Sequence, residues 1–150
     1  MWVIESPRTA VLDAEGILFT QSNVKSSLPQ IVQSMKTNGW VGDAIDVVRM
    51  PNGSLVSVDN TRLAAAKLTG TRVRANIRGF DEAFPISRDP TNEYFQHVLT
   101  GNRPGSWGEA VLNRIARQPR FDPRVQRWFE RYPQGAPFTG VHPKSGPVNP

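Results

Sequence analysis

Residues 45–78 read IDVVRMPNGSLVSVDNTRLAAAKLTGTRVRANIR, and this stretch decides the fold. Ile45-Asp46-Val47-Val48-Arg49 and Leu55-Val56-Ser57-Val58 are short and rich in β-branched residues, which suit a pleated, half-buried surface. Between them Pro51-Asn52-Gly53 is turn chemistry, since Asn-Gly readily takes positive φ, and the three pieces predict a β-hairpin over 45–58. Asp59-Asn60-Thr61 then ends the second strand and opens a helix. Arg62 to Leu68 has high helix propensity and Gly70 is a natural stop. Thr71 to Arg78 alternates strictly, with Val73, Ala75 and Ile77 on one face and Arg72, Arg74, Asn76 and Arg78 on the other. The unit 54–78 is therefore strand, helix, strand with very short connections.

Outward from this unit the signals are weaker. Upstream, Ile17-Leu18-Phe19-Thr20 reads as a short strand and Gln21-Ser22-Asn23-Val24-Lys25 as a polar loop. Leu28, Ile31, Val32 and Met35 then fall at helical spacing, with Ser26 or Ser27 as cap and Gly39 as stop, giving a helix over 27–38. Downstream, 79–105 is turn-rich, with one or two helical turns suggested around Tyr94, Phe95 and Val98. Ser106-Trp107-Gly108-Glu109 fits a capping box before Ala110, Val111 and Ile115. Asp122-Pro123 opens a further helix with the apolar stripe Val125, Trp128, Phe129 and Tyr132, and a basic stripe Arg124, Arg127 and Arg131. After Pro133 the chain is rich in Pro and Gly and is expected to be irregular. The expected architecture is a single α+β domain over 1–150. It has a small mixed β-sheet with packed helices in a core over 17–78, a basic helical C-terminal extension over 106–132, and a Pro/Gly-rich tail over 133–150.

Composition narrows the chemistry. The 150 residues carry a net charge of +5, with 18 Lys+Arg against 13 Asp+Glu. Residues 1–99 balance at 10 of each sign, whereas residues 100–150 hold 8 basic and 3 acidic side chains, so the whole excess sits in the last third. There is no cysteine, which excludes disulfides, cysteine zinc sites and a thiolate nucleophile. Two histidines, His97 and His142, cannot build a three-histidine zinc site, and nothing in their spacing favours an acid/base pair. Any chemistry rests on carboxylates, Arg, Lys, Ser, Thr or Asn, with Mg²⁺ as the cofactor such oxygen ligands would suit. No stretch reads as a targeting or membrane-spanning segment, so a monomer with no membrane partner is expected.

The strand-to-helix turn Asp59-Asn60-Thr61-Arg62 is the first candidate site. A helix N-terminus there would direct free amides and the positive end of its dipole at a phosphate. Arg62 adds a forked cation, Thr61 a hydroxyl, and Asp59 a base or metal ligand. The plain reading is that Asp59 is an N-cap and Arg62 a first-turn residue. Arg72 and Arg74, beside that terminus, would extend a phosphate-reading groove, or else form a solvated strand face. Glu109 could be a carboxylate of the reaction or the acid of the capping box. Trp107 could stack on a base or pack in the core. Arg114 and Arg117 add to a basic footprint, and Gln21, Ser22 and Lys25 form a polar loop that lines a site or caps a helix.

Residues 44–77 resemble the ParB/sulfiredoxin-like fold. The likeness is carried by Ile45-Asp46-Val47-Val48-Arg49, Gly53, the run Val58 to Lys67, and Gly70-Thr71-Arg72-Val73. Phe19 to Val24 and the helix over 27–38 look like the family's N-terminal portion. Within that fold the chain is most similar to C-terminal toxin domains of bacterial polymorphic and contact-dependent toxins. The matching motifs are Thr20-Gln21-Ser22, Asp59-Asn60-Thr61-Arg62 and Trp107-Gly108-Glu109-Ala110. Where the family has Gly-His after the Asp, this chain has Asn60-Thr61, which removes the obvious proton carrier. The sulfiredoxin cysteine is absent too, which excludes sulfinic acid repair.

The resemblance implies a secreted toxin domain, the C-terminal part of a larger protein, that cleaves DNA or RNA in a target-cell cytoplasm. A cognate, acidic immunity protein would cover its basic site. Asp59, Arg62 and Glu109 are the expected catalytic residues, with Asp59 also the metal ligand. Asn60, Thr61, Arg72, Arg74, Gln21, Ser22, Trp107 and Arg114 are expected to bind substrate. Two alternatives stay open: a nucleotide phosphotransferase or NTP hydrolase of the same fold, and a nucleic-acid-binding module without turnover.

Overall fold

The structure is a computed structural model that describes residues 9–21, 24–85, 95–117, 127, 130–137, 139–142 and 146–148. Within these, the elements are β1 (Thr9–Leu12), a 3-10 turn (Ala14–Gly16), β2 (Ile17–Leu18), α1 (Leu28–Asn38), β3 (Ile45–Arg49) and β4 (Leu55–Ser57). They continue with α2 (Asn60–Thr69), β5 (Val73–Arg78), α3 (Trp107–Ala116), β6 (Thr139–His142) and β7 (Gly146–Val148). Five strands form one mixed sheet in the order β1-β5-β3-β4-β2, and β6 and β7 form a separate antiparallel pair. This is the α+β class expected, with a mixed sheet and packed helices.

The hairpin β3–β4 forms as the sequence implies, pairing Val47 with Ser57 and Arg49 with Leu55. Its turn differs in detail. Gly53 alone takes positive φ, at 87°, while Asn52 keeps a negative φ and uses its side-chain oxygen to accept from the Ser54 amide at 2.9 Å. The strand–helix–strand unit follows, and β5 returns parallel to β3.

Strand alternation sorts the core onto two faces. Ile45, Val47, Val73 and Ala75 point to the face covered by α1 and α2, where Leu63, Ala64, Ala65 and Ala66 are completely buried. The alanine run lets the α2 backbone lie close to the sheet, and burying a side chain such as Leu63 contributes roughly 1.5–3 kcal/mol. Val48 and Val56 point to the other face, packed by Phe95, Trp107, Val111 and Ile115.

Three expectations are corrected. The sheet begins upstream of the expected 17–78 core, because β1 pairs antiparallel with β5 through Thr9↔Asn76 and Leu12↔Val73. The tail after Pro133 is not wholly irregular. Ala136 forms a bridge with Phe19, exchanging backbone hydrogen bonds of 2.7 and 2.9 Å beyond β2, and β6–β7 follows. The face of Arg72, Arg74, Asn76 and Arg78 is not a free arginine surface. Arg78 bonds Asp46 Oδ1 at 3.0 Å and Glu82 Oε2 at 3.1 Å and lies over the Trp107 ring, and the Asn76 oxygen accepts from the Thr9 hydroxyl. The helix expected from Asp122 falls mostly outside the described residues, although Arg127, Glu130 and Arg131 are helical and exposed.

Candidate functional site

Asp59 is a true N-cap. Its backbone is extended and its Oδ1 accepts from the Arg62 amide at 3.0 Å, while Oδ2 stands 4.0 Å from Arg62 Nη1. Its side chain is 38% exposed, so water reaches the carboxylate.

A buried hydrogen-bond network fastens the start of α2 to the segment after β2. The Thr20 amide donates to Asn60 Oδ1 at 2.7 Å, and Asn60 Nδ2 donates to Thr20 Oγ1 at 2.9 Å and to Gln21 Oε1 at 3.3 Å. Thr20 Oγ1 donates in turn to the Ser57 carbonyl at 2.8 Å, and Ser57 Oγ donates to the Asp59 carbonyl at 2.7 Å. The Lys25 amide donates to Thr61 Oγ1 at 3.1 Å. Thr20, Ser57, Asn60 and Thr61 are all buried, and buried polar groups require such partners. Asn60 is therefore helical and fully engaged.

A cavity of about 350 Å³ opens beside this network. Its walls include Gln21 and Lys25 from the loop before α1, Asp46 from β3, Asp59 to Arg62 from α2, and Phe95 and Arg114 from the opposite face of the sheet. Three cations and two carboxylates thus share one polar hollow at the positive end of α2. Asp46 is already bonded to Arg78. Arg62 is also committed: Nη2 donates to the Val41 and Asp43 carbonyls at 3.0 and 2.9 Å, and its guanidinium lies 4.2 Å from the centre of the Trp40 ring. It clamps the loop between α1 and β3, so it borders the cavity and does not offer an open fork to a phosphate.

The structure gathers Gln21, Asp59, Asn60, Thr61, Arg62 and Arg114 around this one cavity. The other expected site residues lie elsewhere. Arg72 pairs with Asp13 at 3.4 Å in a cleft at the far end of α2, about 15 Å along a ten-residue helix from its start. Arg74 is exposed on β5 opposite Val11. Trp107 is 1% exposed within the second core cluster, so it packs and does not stack on a base. Glu109 completes the cap of α3, its Oε2 accepting from the Gly105 amide at 3.1 Å while its own amide donates to Ser106 Oγ. Ser22 lies outside the described residues. His97 Nδ1 accepts from the Leu99 and Thr100 amides within its own loop, and the side chain of His142 lies outside the described residues. Among the described residues no group of three or more His, Cys, Asp or Glu could hold a metal ion. With Asp46 paired to Arg78, the remaining carboxylate at the cavity is Asp59.

Two side chains of the cavity that could meet a ligand by charge or ring are not expected at a site from the sequence. Phe95 stands under Arg114, whose guanidinium lies 5.2 Å from the ring centre, and Asp46 reaches the cavity from the hairpin. Phe95 arrives from a segment distant in the chain, and Asp46, though within the hairpin, reads locally as one polar residue of an alternating strand.

Among solved structures, the sulfiredoxin from Arabidopsis thaliana is similar over 47% of this chain and 84% of its own, at 23% identity and a TM-score of 0.39. No family model matches the chain, and no curated protein matches it.

Proposed function

We propose that the cavity at the start of α2 binds a phosphate ester and that the domain is a nuclease acting on nucleic acid phosphodiesters. The observation that supports this reading is the convergence of Lys25 and Arg114 with the first turn of α2 on one open polar hollow, which the committed Arg62 borders. First-turn amides and the dipole favour an anion there. Asp59 is the carboxylate that would take a proton. A water molecule would pass its proton to Asp59 Oδ2 as its oxygen bonds the phosphorus, and the bond to the departing sugar oxygen would break, that oxygen taking a proton from solvent. One carboxylate that already caps α2 and stands beside Arg62 does not fit a divalent cation held by protein alone, and no step here is routed through one. In this reading the chain is a toxin domain delivered into a target cell, and an acidic immunity protein covers the cavity mouth.

The test is incubation of the purified domain with plasmid DNA, total RNA and nucleoside triphosphates, with Mg²⁺ and with chelator, beside Asp59→Asn. Cleaved nucleic acid with the wild type and at least a hundredfold less with Asp59→Asn is expected. Intact nucleic acid with released phosphate would replace this reading with a nucleotide hydrolase. Binding without turnover would leave a nucleic-acid-binding module.

A further inference from the structure

We infer that Gln21 is a specificity-determining donor for an anionic, acceptor-only group, and that Asn60 sets its polarity; this rests on the reading of the cavity as a phosphate site. The direction of the hydrogen-bond chain is fixed at both ends by backbone groups that have only one role. The Thr20 amide only donates, so the atom of Asn60 that meets it at 2.7 Å is the oxygen. The Ser57 carbonyl only accepts, so the Thr20 hydroxyl spends its proton there. Thr20 Oγ1 must then accept from Asn60 Nδ2. The second proton on that Nδ2 goes to Gln21, which must meet it with Oε1.

Gln21 lines the cavity with its oxygen already engaged. What remains for a ligand is Nε2, with two N–H donors and no accepting capacity. A side-chain amide is ordinarily indifferent, since either end can turn to the ligand. Here the Asn60 network removes that choice. Asn60 is 1% exposed and makes these bonds across 40 positions of sequence, so the lock is part of the fold. The wall formed by Gln21 accordingly favours oxygens that accept, ionised ones above neutral hydroxyls, as on a phosphodiester or free phosphate, and disfavours an ammonium group that can only donate.

Calorimetry with two probes, inorganic phosphate and a thymidine dinucleotide, tests this on the full chain. Gln21→Glu replaces the donor with a charged acceptor of the same shape and should weaken both probes at least tenfold with an unchanged melting temperature. Gln21→Lys restores a donor and should bind within threefold of wild type or more tightly. Asn60→Asp should weaken binding in the wild-type background and add little in a Gln21→Ala background, since the two residues act as one unit. Wild-type and Gln21→Glu proteins that bind both probes alike would overturn the inference while leaving the phosphate reading standing. Weakening confined to the dinucleotide would also overturn it, because Gln21 would then read the base or sugar. A wild-type protein that binds neither probe overturns both.

Discussion

At the residue scale, Asp59 caps α2, and the proposed reading gives it a second task that substitution can separate from the first. Its Oδ1 caps α2 and its Oδ2 faces the cavity beside Arg62. Asn is as good an N-cap as Asp, so Asp59→Asn should change stability by only a few tenths of a kcal/mol, while Asp59→Ala should cost about 0.5–2 kcal/mol. Both should abolish turnover, and urea denaturation beside the cleavage assay reads the two effects apart. Asn60 is the opposite case. Read locally, it looks like a turn residue suited to a left-handed backbone, yet it is helical and serves as a buried bracket. Its partners Thr20 and Gln21 lie 40 and 39 positions away, and no local pattern encodes such a contact. Asn60→Ala would leave the Thr20 amide buried without an acceptor, and a loss of about 1–3 kcal/mol in folding free energy is expected.

Lys67 adds a pH signature. Burial lowers its pKa below the ordinary lysine value of 10.5, with nearby Glu15 opposing the shift. Its ammonium lies 5.2 Å from the centre of the Phe19 ring and 3.4 Å from the Pro137 carbonyl. A depressed folded-state value means that the unfolded chain binds more protons in the interval between the lowered value and 10.5. Stability from this group therefore rises with pH through that interval and is lost as pH falls through the folded value. The melting temperature of wild type relative to Lys67→Met should increase as pH rises toward 10.5; a difference independent of pH would contradict the burial of the amine.

At the element scale, what is local in sequence is what the sequence predicts well. The hairpin and the strand–helix–strand unit each close within a few residues, so turn chemistry, a cap and a two-residue period are enough to identify them. β1 is different: Thr9-Ala10-Val11-Leu12 is an ordinary apolar run that becomes a strand only because β5 offers it an open edge. The strap at 135–136 is likewise invisible beforehand, since Pro and Gly richness says loop and the bridge to Phe19 spans most of the chain. That strap depends on Gly135, whose φ is 118° and where a Cβ would sit 2.6 Å from Val56 Cγ1 and 3.1 Å from Leu18 Cβ. Gly135→Ala should therefore destabilise by roughly 1–3 kcal/mol from backbone strain alone, read as a lowered urea midpoint. The candidate groove of Arg72 and Arg74 failed for an element-scale reason. Proximity in sequence to α2 put them at its end, whereas the proposed site lies at its start.

At the scale of the whole molecule, the two core clusters on opposite faces of one sheet explain why the cavity draws on distant segments. It is lined by β3 and by Val58 to Arg62 at the start of α2, and its far wall comes from Phe95 and Arg114 on the other face. The net charge of +5 reads differently in this light. Among the described residues of the basic last third, Arg114 lines the cavity, while Arg117 instead donates to the Gln96 and His97 carbonyls and holds their loop. Binding of a single-stranded oligonucleotide should then involve only about two cations, Lys25 and Arg114, since Arg62 is committed to the loop before β3. The logarithm of affinity should fall with the logarithm of salt at a slope of about −1.4. A slope two or three times steeper would mean that the C-terminal extension, and not the cavity, carries the contact.

The most direct measurement is a map of backbone and side-chain amide shifts in ¹⁵N-labelled protein as a thymidine dinucleotide is added. If the ligand enters the cavity, the largest changes fall on the Asn60 and Thr61 amides and the Gln21 side-chain amide, with Arg72 and Arg74 unmoved. Changes centred on Arg72, Arg74 and the far end of α2, or no changes at the start of α2, would contradict binding in the cavity.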